Sequence, residues 1–354
     1  MRVARLYFGT MNFGWSQAST KIDEAVAVDM LRKFLEQSMD HDSTFYIDTA
    51  RIYAGGKTEK ILGTALKRLE YNNQKLAIGT KAHPSQPNGL SADGIQGQLN
   101  SSLEAMGLSS VGEFYLHQPD PEHSLLESLQ KAHELKAQGL IGAVGMSNYH
   151  ASEMERAFKL CEEHNLTKPT VYQGLYNPLN RMVEQELLPI LRKNSCSFVA
   201  YNPLAAGLLT GKHKRGQTVQ KGRFKDNQNY LPRFYTDLNF DAVESIRHAC
   251  NEAGISMVEA TYRWMLCHSA LQETDGLLLG ASSIKQLLEN LEACEKASNL
   301  ALGPLPNTVL EAMSSAWDTY TSKGDPFPYW RSYSADMPNR DALDQGASYS
   351  ATKK

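Results

Sequence analysis

The chain has 354 residues, and its 36 Lys and Arg residues nearly balance its 39 Asp and Glu residues, which leaves a formal net charge of −3. This balance gives no electrostatic basis for binding nucleic acid or an anionic membrane surface. A hydrophobic fraction of 42% and a charged fraction of 21% are typical of a globular chain and exclude intrinsic disorder.

Neither an export signal nor a disulfide framework is visible. No apolar run approaches the roughly 18 residues of a membrane span, and the opening residues, MRVARLYFGT, lack the apolar core and cleavage site of a secretory signal. The cysteine count is odd and no C-x-x-C pair occurs, which argues against structural disulfides and a zinc site. The sequence therefore predicts a cytoplasmic protein with reduced thiols and no metal centre.

Eight short apolar runs predict the strands of an α/β protein. In chain order they are RLYFGT, FYIDTA, LAIGTK, FYLHQ, IGAVGMS, VYQG, FVAYNP and GLLLGA. Between them lie stretches with helical periodicity, including residues 25–37, TEKILGTALKRL, LLESLQKAHELKAQ and ASEMERAFKLCEEH. Strands alternating with helices at this spacing indicate parallel βαβ units, and eight of them predict a (β/α)8 TIM barrel, formed as one domain by residues 1–331.

One interval breaks this rhythm. The 79 residues from Phe198 to Leu277 hold two predicted helices, at about 241–253 and 258–268, and a polar, basic loop at 213–234. A loop of this length in a compact domain is usually functional, and this one follows strand seven at the C-terminal rim of the barrel. We interpret it as a cofactor or substrate flap.

Two more helices and a tail are predicted after strand eight. The helices cover about residues 284–297 and 307–321. Residues 332–354 are rich in Ser, Asp, Asn and Lys, and this composition predicts a flexible C-terminal tail.

Ionisable residues stand at the ends of three consecutive predicted strands. Strand two ends in IDTARIY, with Asp48 and Tyr53, strand three in GTK, with Lys81, and strand four in YLHQ, with His117. Any one of them alone is more often a helix cap, a surface residue or a core residue. Four at matching strand ends predict a site, because neighbouring parallel strands lie about 4.8 Å apart and their C-terminal ends face one pocket.

These residue types suit proton donation to a carbonyl oxygen during hydride transfer. A free phenol has a pKa near 10 and gives up its proton poorly at neutral pH, but an adjacent ammonium favours phenolate. Lys81 would supply that charge to Tyr53 and Asp48 would hold Lys81 in place. His117 would donate to the same carbonyl oxygen and fix its position.

The motifs IDTARIY, GTK and FYLHQP resemble the catalytic motifs of the aldo-keto reductases, which are NADPH-dependent carbonyl reductases with a (β/α)8 fold. The resemblance covers roughly residues 6–331. It implies a catalytic tetrad of Asp48, Tyr53, Lys81 and His117, with Tyr53 as the general acid.

Longer segments, GMSNY, PTVYQGLYN, AYNPLAAGLLTGK and ASSIKQLLEN, resemble the aflatoxin-aldehyde reductase subgroup, whose members are typically cytosolic dimers. This resemblance implies NADPH-dependent reduction of small aldehydes, dicarbonyls and semialdehydes, with aflatoxin dialdehyde as a further candidate, and it suggests a homodimer. Two positions depart from the subgroup. Ala206 replaces the first glycine of a Gly-Gly pair, and Tyr201 replaces the usual Phe.

The same resemblance implies a cofactor site. Ser147, Asn148 and Gln173 are expected to hydrogen-bond the nicotinamide carboxamide, and Tyr201 is expected to stack on the ring. Backbone N–H groups of the next loop would approach the pyrophosphate. The implied residues of that loop are Asn202, Pro203, Leu204, Gly207, Leu209, Gly211 and Lys212.

The far end of the cofactor and the substrate are assigned in the same way. Ser282 and Ser283 begin a helix where a phosphate would meet free N–H groups, with Lys212 and Arg223 supplying charge. The adenine would face Gln286 and Asn290. Besides His117, the residues that resemble carboxylate-binding positions of the subgroup are Tyr230, Arg233 and Arg331.

Two other functions stay open at this point. Potassium-channel β subunits share the fold and bind NADPH but act chiefly as partners of a membrane protein. That role would need an N-terminal extension or adapter surface, whereas this chain starts a few residues before strand one. The second alternative is a barrel hydrolase or lyase, which the lack of metal-ligand clusters and paired catalytic carboxylates disfavours.

The absence of any G-x-G disfavours a Rossmann domain.

Overall fold

The computed structural model describes residues 4–18, 20–37, 44–70, 76–220, 222–299, 301–323 and 326–344. Eight parallel strands close into a barrel in chain order, and β8 pairs with β1. The strands are β1 (Arg5–Gly9), β2 (Phe45–Asp48), β3 (Leu76–Ala82), β4 (Val111–Leu116), β5 (Ile141–Ser147), β6 (Val171–Leu175), β7 (Ser197–Tyr201) and β8 (Gly276–Gly280). The predicted (β/α)8 fold is confirmed.

Helices surround this barrel. Between consecutive strands from β1 to β7 they are α1 (Glu24–Gln37), α2 (Lys57–Arg68), α3 (Ala92–Met106), α4 (Leu125–Ala137), α5 (Ala151–Glu163) and α6 (Val183–Lys193). The later ones are α7 (Leu231–Phe234), α8 (Asp237–Glu252), α9 (Met257–Cys267), α10 (Ile284–Ser298) and α11 (Asn307–Lys323). Most of them bury an apolar stripe, as α5 does with Met154, Ala157, Phe158 and Cys161, whereas α11 packs against α8.

Two boundaries differ from the sequence prediction. β4 begins at Val111 rather than Phe114, because Glu113 is polar but is accommodated inside the barrel by hydrogen bonds. α8 begins at Asp237 rather than near residue 241, because the Thr236 hydroxyl accepts a hydrogen bond from the Asn239 N–H and caps the helix.

Aromatic rings fill the barrel interior where neighbouring strands carry glycine. A Cβ atom on Gly145 would lie 2.4 Å from Cδ1 of Tyr115, and one on Gly276 would lie 2.5 Å from Cε2 of Tyr7. Both distances are far below van der Waals contact, so these strand positions require glycine. The interior is therefore a packed layer beneath the C-terminal ends of the strands.

Residues 326–344, which we call the C-terminal strap, cross the loops that follow β4 and β5. The Arg331 N–H donates to the Asn148 carbonyl at 3.0 Å, and the Ser334 N–H donates to Glu153 Oε1 at 3.0 Å. Residues 332–344, the first part of the segment predicted to be a flexible tail, are thus packed against the barrel. Residues 345–354 lie outside the described residues.

Within the described part of the chain, no helix has both the length and the apolar character required to cross a bilayer.

Candidate active site

A cavity of about 680 Å³ opens at the C-terminal ends of the strands. Its size suits a small organic ligand or cofactor. Most residues that the sequence singles out line it. The tetrad contributes Asp48, Tyr53 and His117; the cofactor set contributes Ser147, Asn148, Gln173, Tyr201, Asn202, Pro203, Leu204, Gly207, Lys212, Arg223, Ser282, Gln286 and Asn290; and the substrate set contributes Tyr230, Arg233 and Arg331. The cavity lining does not include four of the singled-out residues, which are Lys81, Leu209, Gly211 and Ser283.

Lys81 is buried directly beneath the cavity. Its Nζ donates to Asp48 Oδ1 at 2.5 Å and to the Thr49 carbonyl at 2.7 Å. Strand pairing sets this geometry, because Asp48 is in register with Gly79 and inward-facing side chains alternate along β3. Burial lowers the pKa of Lys81, and the charge of Asp48 opposes that shift.

Tyr53 lies above this ion pair, on the 3-10 turn that follows β2. The Lys81 Nζ is 5.4 Å from the centroid of the Tyr53 ring, and the His117 ring lies 5.9 Å from it at an interplanar angle of 79°. The structure therefore brings all four predicted tetrad residues together. A phenol this close to an ammonium is suited to proton donation, because the positive charge stabilises the phenolate that remains.

His117 directly follows β4 and is partly buried where it lines the cavity. Burial lowers its pKa well below the ordinary value, and the charges of His83, Lys81 and Arg331 act in the same direction. The imidazole is therefore neutral at pH 7. Its Nδ1 atom has no hydrogen-bond partner among the described residues.

The predicted nicotinamide residues are already partly hydrogen-bonded. Asn148 Nδ2 donates to the His117 carbonyl at 2.8 Å and to Ser147 Oγ at 2.9 Å, while Asn148 Oδ1 accepts from the Tyr201 hydroxyl at 2.7 Å. Gln173 Nε2 donates to Asp48 Oδ1 at 2.8 Å. Since both amide hydrogens of Asn148 are engaged, this side chain can still accept a hydrogen bond from a carboxamide but has no donor left.

The predicted pyrophosphate loop follows β7 as a series of tight turns. The N–H groups of Gly207 and Leu209 donate to the Leu204 carbonyl at 2.8 and 3.2 Å, and the Gly211 N–H donates to the Leu208 carbonyl at 3.1 Å. A phosphate would therefore compete with the turns for these three donors.

The cations expected near the cofactor lie beside this loop. Arg223 Nη1 donates to Asn202 Oδ1 at 3.2 Å, and its guanidinium lies 5.2 Å from the ring centroid of Tyr230. Burial lowers the pKa of Lys212, with the charge of Arg223 acting in the same direction. Two like charges held this close favour an anionic ligand between them.

The start of α10 carries the residues predicted for the adenosine end. The Ser283 hydroxyl accepts from the Gln286 N–H at 3.2 Å and caps the helix, while the Ser282 hydroxyl donates to Gln286 Oε1 at 2.8 Å. Asn290 is buried and donates to the Gly280 carbonyl at 3.2 Å. Ser283 thus has a structural role as the helix cap, whereas Ser282, Gln286 and Asn290 line the cavity.

The two arginines predicted to bind substrate arrive on different segments. α7 carries Arg233, which is 5% exposed, and its Nε and Nη2 atoms have no hydrogen-bond partner among the described residues. The strap brings Arg331, which is 8% exposed. A buried guanidinium with unpaired donors is costly, so Arg233 indicates an anionic ligand that would satisfy it.

Sequence reasoning missed His83, which also lines the cavity. Its ring centroid is 5.0 Å from that of His117, and its Nδ1 accepts from the Ser85 N–H at 3.0 Å. Burial lowers the pKa of His83 to about 4, so the ring is neutral. The alternation of inward positions along TKAH, two residues after Lys81, is the signal that would have found it.

No group of three or more His, Cys, Asp or Glu side chains arranged to hold a metal ion occurs in the described ranges.

Comparison with known proteins gives a consistent result. Residues 5–300 match the model of the aldo/keto reductase family. The chain is 37% identical over 322 residues to aflatoxin B1 aldehyde reductase member 2 of Rattus norvegicus, covering 88% of this chain and 83% of that protein. It is 37% identical over 320 residues to aldo-keto reductase family 7 member A3 of Homo sapiens, with 87% and 93% covered.

A fungal relative extends the comparison. The oxidoreductase sirO of Leptosphaeria maculans is 33% identical over 320 residues, which cover 88% of this chain and 93% of that protein. Since the family match spans the barrel that carries the Asp, Tyr, Lys and His cluster, the chain belongs to the aldo/keto reductase family and is an oxidoreductase.

Proposed function

We propose that this protein reduces small aldehydes and ketones to alcohols with NADPH, using Tyr53 as the proton donor. The observation that carries the proposal is the buried ion pair of Lys81 and Asp48, 2.5 Å apart, directly beneath the ring of Tyr53. This arrangement holds a positive charge where a phenol must lose its proton.

The residues around the cavity fit a nicotinamide dinucleotide. The cavity extends from the tetrad past Tyr201 to Ser282 and Gln286, with Lys212 and Arg223 along the way. When bound, the reduced nicotinamide supplies the hydride. Ser147, Asn148 and Gln173 would hold the carboxamide, and Tyr201 would lie against the ring.

A preference for NADPH over NADH follows from the charges at the adenosine end. Lys212 and Arg223 are the cations that line this part of the cavity, together with the start of α10. Charge-assisted hydrogen bonds contribute roughly 1.5 to 3 kcal/mol each, enough to distinguish a 2′-phosphate from a hydroxyl.

Each residue of the tetrad has a separate role in the proposed reduction of the carbonyl group. Tyr53 gives its proton to the carbonyl oxygen, and Lys81 stabilises the phenolate left behind. Asp48 holds Lys81 in position. His117, neutral because it is buried, positions the carbonyl oxygen without adding a second charge.

The proposed substrates are small aldehydes, dicarbonyls and semialdehydes, with a preference for those that carry a carboxylate. Support comes from the unpaired donors of Arg233 and from Arg331, which also lines the cavity. The mammalian relatives named as aflatoxin B1 aldehyde reductases make aflatoxin dialdehyde a further candidate. A homodimer and a cytoplasmic location stay predictions.

The test is a steady-state assay of NADPH oxidation by the purified protein with a panel of aldehydes, dicarbonyls and semialdehydes. We expect turnover that depends on both NADPH and the carbonyl compound. A parallel titration of NADPH against protein fluorescence separates the alternatives. Binding without turnover of any substrate would favour a regulatory, NADPH-binding partner protein, and absence of binding would overturn the cofactor assignment.

A further inference from the structure

A carboxylate with two tyrosine partners lies inside the barrel, below the cavity. Glu113 and Tyr115 occupy alternate positions of β4 and His117 continues the alternation just after the strand, so all three point inward. The Tyr115 hydroxyl donates to Glu113 Oε2 at 2.5 Å, and the Tyr7 hydroxyl donates to Glu113 Oε1 at 2.8 Å.

The hydrogen bonds of Glu113 suit an ionised carboxylate. Each of its oxygens lies within hydrogen-bond distance of a tyrosine hydroxyl, and a carboxylate can accept from both. The 2.5 Å contact also has the length of a charge-assisted O–H···O⁻ bond. Burial raises the pKa of Glu113, and the hydroxyls of Tyr115 and Tyr7 and the charge of Lys81 oppose that shift.

Lys81 lies between this carboxylate and the proton donor. Lys81 and Tyr115 are in register on neighbouring strands. The Lys81 Nζ is 5.5 Å from the ring centroid of Tyr115 and 5.4 Å from that of Tyr53. The Lys81 ammonium thus lies close to both rings. The hydroxyl of Tyr115 is in turn hydrogen-bonded to Glu113.

Three carboxylates favour the charged form of Lys81, in the order Asp48, Glu113 and Glu59. Asp48 contacts it directly, and Glu59 has its own cation in Arg51 and a hydrogen bond from the Thr80 hydroxyl. No Lys or Arg among the described residues lies within 4.0 Å of the Glu113 oxygens. The charge of Lys81 nevertheless acts on Glu113 without direct contact.

Other titratable groups face this pair from the surrounding elements. They are Tyr46 and Asp48 of β2, Arg51 and Tyr53 of the following turn, Glu59 of α2, His117 just after β4, and Tyr7 and Arg5 of β1.

We propose that Glu113 is a positioning residue that keeps Lys81 protonated from below and so sets the upper pH limit of proton donation by Tyr53. This inference rests on the proposed function. The barrel fixes the geometry, because the rings that bind Glu113 fill the space left by Gly145 and Gly276.

The expected direction of the pH shift does not depend on whether Tyr53 or Lys81 loses its proton first. Reduction needs Tyr53 and Lys81 both protonated, and the two titrate as one system. Removing a nearby negative charge makes loss of either proton easier. The pH above which kcat/KM falls should therefore decrease when Glu113 becomes neutral, by about one unit or more.

The experiment measures kcat/KM against pH with NADPH and benzaldehyde, whose charge does not change. We expect the basic limb of the profile to move down by about one pH unit or more in Glu113→Gln and to stay near its original position in Glu113→Asp. Glu153→Gln is the matched control, since Glu153 is also a buried carboxylate but binds Ser334 of the strap. An unchanged limb in folded Glu113→Gln overturns the proposal.

A triple variant tests the proposal in case Glu113→Gln does not fold. Changing Glu113→Leu, Tyr7→Phe and Tyr115→Phe together removes the carboxylate and both hydroxyls, so no buried polar group loses its partner. The same downward shift is expected, and its absence counts against the proposal. If the unmodified protein does not oxidise NADPH with any aldehyde, the proposed function fails instead.

Discussion

The floor and the rim of the cavity are built in different ways. The floor consists of the ends of β2, β3, β4 and β6, and its polar groups Asp48, Lys81 and Gln173 are joined by hydrogen bonds of 2.5 to 2.8 Å. The rim consists of the long loop at residues 213–234 and the strap, which meet over the floor. Its Arg233 is buried but retains unpaired donors.

This difference separates two tasks. A floor whose hydrogen bonds are satisfied by neighbouring strands can keep one geometry for a chemical step. A rim in which Arg233 keeps unpaired donors can select the ligand that pairs them, and it can change without altering the floor. We infer that the floor determines the reaction and the rim determines which carbonyl compound undergoes it.

The largest effect should come from the floor. Tyr53→Phe is expected to fold and to bind NADPH, yet to lose carbonyl reduction by about 10²-fold or more, because only the proton donor is removed. The measurement is kcat with NADPH and an uncharged aldehyde, beside a fluorescence titration of NADPH. Near-normal turnover in the purified variant would show that another group donates the proton.

At the rim, Arg233→Ala and Arg331→Ala should alter selection rather than chemistry. The ratio of kcat/KM for 2-carboxybenzaldehyde over benzaldehyde is expected to fall about 10-fold or more in each variant, because a buried charged pair is lost. The ratio in the parent should also shrink with added salt. Arg68→Ala, on an exposed face of α2, serves as the control. If neither rim variant moves the ratio, the carboxylate assignment is wrong.

The cofactor end of the cavity should show an intermediate effect. Arg223→Ala is expected to reduce the preference for NADPH over NADH by about 10-fold, the equivalent of one charge-assisted hydrogen bond. The measurement is the ratio of KM values for the two cofactors. Lys225→Ala, an exposed cation in the same loop, should leave it unchanged. Equal KM values for both cofactors in the parent protein would contradict the NADPH assignment.

The smallest effect should come from loosening the strap without touching Arg331. Asp336 binds Arg156 Nη2 at 2.5 Å and the Leu125 N–H at 2.9 Å. In Asp336→Asn we expect KM for 2-carboxybenzaldehyde to rise roughly two- to five-fold while kcat for benzaldehyde stays unchanged, since a partly exposed pair contributes about 1 kcal/mol or less. Asp341→Asn, exposed on the same strap, is the control.

The pH dependence of the strap has a definite sign. Burial would raise the pKa of Asp336, but the hydrogen bonds from Arg156, Leu125 and Ser124 together lower it to about 2. Because the folded value is depressed, the contact stabilises the strap fully above the unfolded pKa of about 3.9 and is lost as pH falls towards 2. Amide hydrogen exchange of residues 326–344 should accelerate over that window, and a constant protection factor would contradict this account.

The site residues at strand ends could be predicted from the sequence because they occur at the same place in each apolar run. Asp48, Lys81 and His117 each interrupt an apolar run at its C-terminal end, and parallel strands bring such ends together. Glu113 escaped notice for the opposite reason. It lies near the start of a run, where a polar residue normally marks the end of the loop, and only its contacts with Tyr7 and Tyr115 place it inside.

The rim could not be predicted in the same way. The sequence located the long loop by length but not the four-residue helix α7, which is too short to show a period. Residues 332–344 of the strap belong to the segment predicted to be flexible, because that part of the sequence is polar. In the structure, Ser334 and Asp336 are held by hydrogen bonds to Glu153, Ser124 and Leu125, and polar pairing of this kind leaves no hydrophobic pattern in the sequence.

Asn148 joins the two regions in a way that links their binding energies. Its side chain contacts the His117 carbonyl and the Tyr201 hydroxyl, while its own carbonyl accepts the Arg331 N–H of the strap. By thermodynamic reciprocity, any factor by which a ligand at Asn148 tightens docking of the strap must equal the factor by which the docked strap tightens that ligand. The affinity for a ligand bound at Asn148 should therefore depend on whether the strap is docked. Measuring the affinity for the proposed cofactor would thus report whether Arg331 is in place.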